Sequence, residues 1–276
     1  MSTKTALPTI WHTPDDLWKR IAPVLGPEKA PGTPGRPATP CRRLFDALVY
    51  VLRTGGQWHA LPRQEYAPGS TVHGWFRHWV QAGVFEKAWK RLREYYDPEI
   101  GIDWKWQALE GAITKAPLGG EATGPSPVDR AKAGTKRSVL TDRRGAPLAV
   151  VVTGANTPDK TVALATVDGI GVPRPEKVGY RLHHLCLDKG YDYVDVIEGM
   201  LERDYILHLK HRGEPEPAVA PEQKHPARRW VVERTQAWHN KFRRLLVRWE
   251  RNVEHYKALI HLASVLILYR LVVTAS

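Results

Sequence analysis

The chain has 276 residues, 42% of them hydrophobic, enough for one large or two modest domains with a real core. Its net charge of +12 favours a polyanionic partner: DNA, RNA or an anionic membrane surface. Two cysteines without metal-ligand spacing, Cys41 and Cys186, and no recognisable signal peptide argue against a disulfide scaffold and place the chain in a reducing cytoplasm.

Residues 1 to about 100 read as helical. Thr13-Pro14-Asp15-Asp16 offers a cap, a proline at the first helical position and an acidic residue for the first turn. Leu17, Trp18, Ile21 and Leu25 follow at helical spacing. Gly26 to Pro40 is rich in Pro, Gly and Thr and reads as a loop. A second helix starts near Pro40, with Leu44, Phe45, Leu48, Val49 and Leu52 on one face, and stops at Gly55-Gly56. Ser70 is the expected cap of a third helix carrying Val72, Trp75, Phe76 and Trp79. Gly83 ends it, and a fourth runs from Val84 toward Tyr95. Short helices joined by Gly-containing turns fit a helix-turn-helix module. The candidate recognition helix is Ser70 to Val80, with Thr71, His73 and Arg77 as DNA contacts. A helical packing domain that touches no DNA would show the same pattern.

After Gly101 the pattern changes. Strands are expected over Gln107 to Lys115, Arg137 to Thr141 and Pro147 to Thr153, the last two joined by the turn Asp142-Arg143-Arg144-Gly145. A helix over Asp159 to Val167, a strand over His184 to Asp188, a helix over Tyr193 to Arg203 and a strand over Tyr205 to Leu209 follow. Arg212 to Ala227 reads as a loop. Two helices, Arg228 to Arg251 and His255 to Val273, close the chain. The apolar run Ala258 to Tyr269 is too short for a membrane span and reads as a buried helix. This succession implies an α/β fold: a mixed sheet with helices on its faces, preceded by an all-helical domain. The expected domains are 1–100, helical and DNA-binding, and 101–276, catalytic.

From Lys224 to Arg251 the chain has nine Lys or Arg against two Glu. A helix that basic suits polyphosphate, with Arg229, Arg234, Lys241, Arg244 and Arg248 as phosphate contacts. Glu233 is the anomaly, because a carboxylate repels the same phosphates unless it holds a divalent metal. The bland alternative is a surface glutamate paired with Arg229 or Arg234. Val231, Trp238, Phe242, Leu245 and Trp249 would form one buried stripe, with Glu233 about 200° from Val231 at about 100° per residue. Asp188 ends an apolar strand before Lys189-Gly190. Glu110 sits amid Ala108, Leu109, Ala112 and Ile113, where a buried carboxylate is costly unless paired or metal-bound. Asp103, Asp129, Asp142 and Asp159 are weaker competitors in turns. His183-His184 and His208 to His211 lack a Cys or carboxylate at ligand spacing and argue against a zinc enzyme.

Gln107-Ala108-Leu109-Glu110-Gly111-Ala112, Leu187-Asp188-Lys189-Gly190-Tyr191 and Arg229-Trp230-Val231-Val232-Glu233-Arg234, in this order, resemble the three acidic blocks of bacterial insertion-sequence transposases of the DDE class. The segment from Leu118 to Asn156, the last two helices and the N-terminal region are also similar to that family. The resemblance implies an RNase H-like catalytic domain behind a helical DNA-binding domain. It implies Mg²⁺, with Mn²⁺ as substitute, held by Glu110, Asp188 and Glu233 as catalytic acids. It implies double-stranded DNA as partner, namely transposon ends and target, a homodimer on DNA, no membrane, and a place at the bacterial nucleoid. Arg229 matches the family's arginine in the third block. The family's tyrosine position holds Pro226 and its lysine position Asn240, with Lys241 next to it. The family's first acid is Asp, whereas this chain has Glu110. The extra methylene moves the carboxylate by about 1.5 Å, and misplacement by about 1 Å can cost on the order of 100-fold in rate. An impaired protein that still binds transposon ends, and a nuclease without strand transfer, are the alternatives.

Overall fold

The computed structural model describes residues 11–26, 38–175, 183–211, 213 and 229–275. Most of the expected loops over Gly26–Pro40 and Arg212–Ala227 lie outside these residues, as do Pro226 and Arg228. Contacts divide the chain into two compact units: Met1–Ile100 with His239–Ser276, and Gly101–Trp238.

The first unit opens with α1 (Asp15–Ile21), α2 (Cys41–Thr54), α3 (Gly69–Gln81) and α4 (Val84–Ile100). Pro14, not Thr13, occupies the N-cap of α1. Thr13 instead donates its N–H and Oγ1–H to Asp46 Oδ1 of α2, at 2.7 and 2.5 Å. The expected face of α2 is buried throughout, and Gly55 ends the helix at φ 71°, a conformation glycine adopts without steric cost. Helix α3 begins before the expected cap, so Ser70 is already inside it. Gly69 is required there because a Cβ would lie 1.9 Å from the Trp58 carbonyl oxygen. Val72, Phe76 and Trp79 are the buried residues of its apolar face.

The second unit is built on a mixed sheet of β1 (Trp106–Lys115), β2 (Gly124–Pro125), β3 (Ala133–Asp142), β4 (Pro147–Gly154), β5 (His183–Cys186) and β6 (Tyr205–His208). β1 pairs antiparallel with β3 and β3 with β4; β1 pairs parallel with β5 and β5 with β6. The short β2 pairs with the start of β3. Helix α5 (Asp159–Asp168) crosses from β4 toward β5, and Thr166 Oγ1 of α5 donates to Ser138 Oγ of β3. Helix α6 (Val194–Glu202) joins β5 to β6. Helix α7 (Trp230–Lys241) carries Val232 onto Ala108, Val139 and Cys186.

The expected single helix over 228–251 is broken. α7 ends at Lys241, Phe242 is extended, a one-turn α8 (Arg243–Leu246) follows, and Val247 is extended again. The break resets the helical phase after Lys241: of the expected stripe Val231, Phe242 and Leu245 are buried, Trp238 is half-buried and Trp249 is 44% exposed. The buried face of α7 is Val231, Val232, Thr235, Gln236 and His239. Residues 239–276 pack in the first unit, which differs from the expected division at 100/101 alone. The reason is α9 (Val253–Ala275), apolar all round and packed on α4. By length and composition α9 could cross a membrane; it exceeds the expected helix, His255 to Val273, by two residues at each end. Yet 67% of its most apolar window is buried in the fold. His261 within it stacks on Trp89 at 4.9 Å, and burial, then Arg93, push its pKa down to about 3, so the ring is neutral.

Candidate active site

Strand geometry sets the first two acids. Ala108 of β1 is paired with Cys186 of the parallel β5. Side chains two residues apart point to the same face. Glu110, inside β1, and Asp188, two residues past the end of β5, therefore fall at the same level of neighbouring strands. Glu110 shares its face with Val139, its partner across β3, and that is the face α7 covers through Val232. Glu233 is the next residue of α7 and is exposed. One turn later, Gln236 Nε2 donates to the backbone oxygens of Glu110 and Arg137, at 3.4 and 3.3 Å, which fixes α7 over β1 and β3.

Asp188 caps the single 3-10 turn Lys189–Tyr191 by accepting the Lys189 N–H. Its Oδ1 also pairs with Arg229 Nη1 at 2.9 Å. Glu110 Oε2 is buried and accepts no hydrogen bond. Burial, then the charge of Glu233, push the Glu110 carboxyl up to about 7; Arg229 opposes this, and Asp188 and Asp159 add to it. The three acids thus lie within one another's field, with Arg229 between them as partial neutraliser. Among the described residues, no group of three or more His, Cys, Asp or Glu is arranged to hold a metal ion. The donors nevertheless suit a hard divalent cation: three carboxylates, one with an oxygen lacking any partner. Such an ion would sit with Glu110, Asp188 and Glu233.

This geometry makes a prediction free of any metal or DNA. A carboxyl raised from 4.5 to about 7 binds its proton more tightly in the folded than in the unfolded chain. Its contribution is full below the ordinary value and is lost as pH rises through about 7. In metal-free protein, Glu110→Gln should therefore gain stability relative to the parent between pH 4 and pH 8. Denaturant unfolding at both pH values measures this; a difference independent of pH would remove Glu110 from the acidic cluster.

The other expected residues divide. Arg77 and Lys241 are exposed, and Thr71 is half-buried. His73 is packed among Trp58, Phe76 and His255, and burial, then the charge of His255, lower its pKa, so it is a neutral packing ring. Arg244 and Arg248, expected at phosphates, are 8% and 1% exposed. Arg244 pairs with Glu250 Oε1 at 2.7 Å, and Arg248 Nε donates to the Glu250 backbone oxygen at 2.8 Å. The helix break turned both inward. Arg234 donates to the Arg144 backbone oxygen at 2.7 Å. His183 is buried and bonded to the Trp104 oxygen at 3.0 Å. Asp159 starts α5, as the expected helix over Asp159 to Val167 has it, and pairs with buried Lys136 at 3.1 Å. It approaches so closely that a Cβ at Gly111 would lie 2.1 Å from its Oδ1. That glycine was the sequence signal for it.

A mixed sheet carrying one acid on its central strand, a second just past the neighbouring strand and a third on a packed helix fits a class of metal-dependent nucleic-acid enzymes, and the comparisons place the chain within it. Residues 113–268 match the family described as "Transposase DDE domain", and residues 14–89 match "Putative transposase of IS4/5 family". The chain belongs to the DDE transposases of bacterial insertion sequences, and its fold is the RNase H-like one that this domain implies. DNA binding and recombination follow from the family, as does its use of divalent metal ions. The "Putative transposase for insertion sequence element IS402" of Burkholderia cepacia is 38% identical over 156 residues, 52% of this chain and 67% of that protein. The "Insertion element IS402 uncharacterized 16.2 kDa protein" of the same organism is 32% identical over 117 residues, covering 41% and 79%. The "Crystal structure of the Mos1 Strand Transfer Complex" aligns over 88% of this chain and 81% of that one at 10% identity and a TM-score of 0.29, which adds nothing to the assignment.

Proposed function

We propose that this transposase cuts the ends of its insertion sequence and joins them to target DNA with Glu110, Asp188 and Glu233 as the catalytic acids and Mg²⁺ as their ion. The observation that supports the reading is the buried oxygen of Glu110 left without a partner, on a carboxyl raised by burial and by the charges of Glu233 and Asp188. In the first step a water oxygen bonds to the scissile phosphorus and the P–O3′ bond breaks, freeing a 3′-OH. In the second, that 3′ oxygen bonds to a target phosphorus and the target's own P–O3′ bond breaks. A divalent ion supplies activation of the attacking oxygen and charge for the leaving one. Arg229, beside Asp188, is placed to meet the phosphate and to hold Asp188 in position before DNA arrives. Two ends must be brought together, so the working form is a homodimer on DNA.

In this reading the helical unit, Met1–Ile100 with His239–Ser276, supplies the grip on duplex DNA through exposed cations such as Arg77. Lys241, beside the family's lysine position, contributes a second contact. Binding should weaken steeply with salt because counterions are released at each neutralised phosphate. Arg77→Ala or Lys241→Ala should lower the slope of log K against log salt by about 1. Affinity measured in EDTA across a salt series tests this; a parent slope near zero contradicts it.

The longer first acid has its own expected effect. Mg²⁺ is strict about octahedral geometry, so Glu110→Asp should raise Mg²⁺-dependent cleavage of end DNA, and Mn²⁺ should partly rescue the parent. Unchanged or lower cleavage by Glu110→Asp would mean that the site is built around glutamate.

A further inference from the structure

Strands β5 and β6 run parallel, with His184 opposite Ile206 and Cys186 opposite His208. Side chains two residues apart share a face, so His184 and His208 lie diagonally across neighbouring strands on one face of the sheet. Residue separation hides this neighbourhood; the parallel pairing creates it. Ala108 and Cys186 of the same face are covered by Val232 of α7, whereas Trp106 and His184 are half-buried and Ile206 and His208 exposed.

The two imidazoles meet edge on, with His184 Nδ1 and His208 Nε2 2.8 Å apart. Trp106 stacks on His184 at 4.3 Å with ring planes 16° apart, and its ring lies 4.6 Å from that of His208. One indole therefore backs both rings and limits how they turn. The backbone beneath is held as well: the His184 N–H donates to the Lys105 oxygen at 2.8 Å, and the Leu187 N–H donates to the His208 oxygen at 3.1 Å.

This spacing is the bite of a transition metal. With metal–nitrogen bonds of about 2.0–2.1 Å, nitrogens 2.8 Å apart subtend roughly 85–90° at the ion, the angle of square-planar or tetragonal coordination and well short of the tetrahedral ~109°. Tetragonal nitrogen donors suit Cu²⁺ or Ni²⁺, whereas Mg²⁺ prefers oxygen. Binding builds up no extra charge on the rings. The imidazole that donates the His184–His208 bond moves its proton to its other nitrogen, and both facing nitrogens then offer a lone pair.

We propose that His184 and His208 form a two-histidine site for a tetragonal transition-metal ion of the Cu²⁺ class, with water completing the coordination. The site is separate from the carboxylates and requires neither DNA nor cleavage. An ion held there clips β6, last in the strand order, to β5, the strand that runs on into Asp188.

The test is Cu²⁺ titration of the full chain, carrying no added histidine tag, in excess Mg²⁺. The parent should take up one Cu²⁺ whose electron paramagnetic resonance spectrum is split by two nitrogen ligands. Its melting temperature should rise with Cu²⁺. His184→Ala and His208→Gln should each weaken uptake about ten-fold or more and remove the thermal gain. His208 is exposed, so His208→Gln tests the site even if His184→Ala unfolds the chain. Trp106→Phe should keep the uptake and lose part of the tryptophan quenching that accompanies it. His211→Ala, whose ring is tied to Asp192 instead, should behave as the parent. Equal affinity in the parent and in His208→Gln, or a spectrum showing oxygen ligands alone, overturns the inference. Uptake abolished by Mg²⁺ would place the ion on the carboxylates and overturn it as well.

Discussion

Asp188→Ala and Glu233→Ala should each reduce Mg²⁺-dependent cleavage of end DNA by about a thousand-fold or more, with duplex affinity in EDTA nearly unchanged. Charge stabilisation at a phosphoryl oxygen contributes several kcal/mol, and each ~1.4 kcal/mol is ten-fold in rate. Affinity survives because binding rests on cations elsewhere. Asp188 needs one control, since it also anchors Arg229 and the Lys189 N–H. Asp188→Asn can still accept the N–H, so its inactivity would separate a catalytic from a merely structural part. Gel analysis of cleaved strands gives the readout; cleavage that survives either alanine would assign the chemistry to other residues.

The second large effect is on stability. Arg244 and Glu250 form a buried pair, 10% and 5% exposed at their side chains, with two contacts of 2.7 Å from Arg244 Nε and Nη2 to Glu250 Oε1. Removing one partner strands the other charge, which typically costs ~3–5 kcal/mol. Arg244→Ala should therefore lower the melting temperature by about 10 °C, taking ~2–4 °C per kcal/mol for a chain of this size. The double replacement Arg244→Met with Glu250→Leu should recover much of that loss, because no charge is then left unpaired. The salt slope of the folded Arg244→Ala protein should match the parent. A lower slope with an unchanged melting temperature would instead make Arg244 the phosphate contact that its place in a basic run implied.

The contrast between Glu110 and Arg244 shows what the sequence made legible. Glu110 was visible because a carboxylate among Ala108, Leu109, Ala112 and Ile113 conflicts with its surroundings, and the fold keeps that conflict, with Oε2 buried and unpartnered and the carboxyl raised to about 7. The strand and helix succession after Gly101 was likewise readable from alternation and turn residues. The short β2 was missed because two residues carry no period. Arg244 and Arg248 misled because composition records charge and not direction. Extended backbone at Phe242 and Val247 redirects both side chains, and nothing in the pattern of cations marks it. The same break carries Trp249 out of the expected stripe, leaving it 44% exposed. Residues 239–276 were assigned to the catalytic domain by proximity in sequence, whereas α9, lacking a polar face, had to be buried and found its place on α4.

The central claim is that Glu110, Asp188 and Glu233 together hold divalent ions. Counting bound Mn²⁺ by electron paramagnetic resonance during titration of the full chain on duplex DNA addresses it without relying on turnover. The parent should bind about two ions per chain, the number expected for a two-metal phosphoryl-transfer site, and Asp188→Ala and Glu233→Ala should each lose tight binding. Full Mn²⁺ occupancy in both variants would contradict the account.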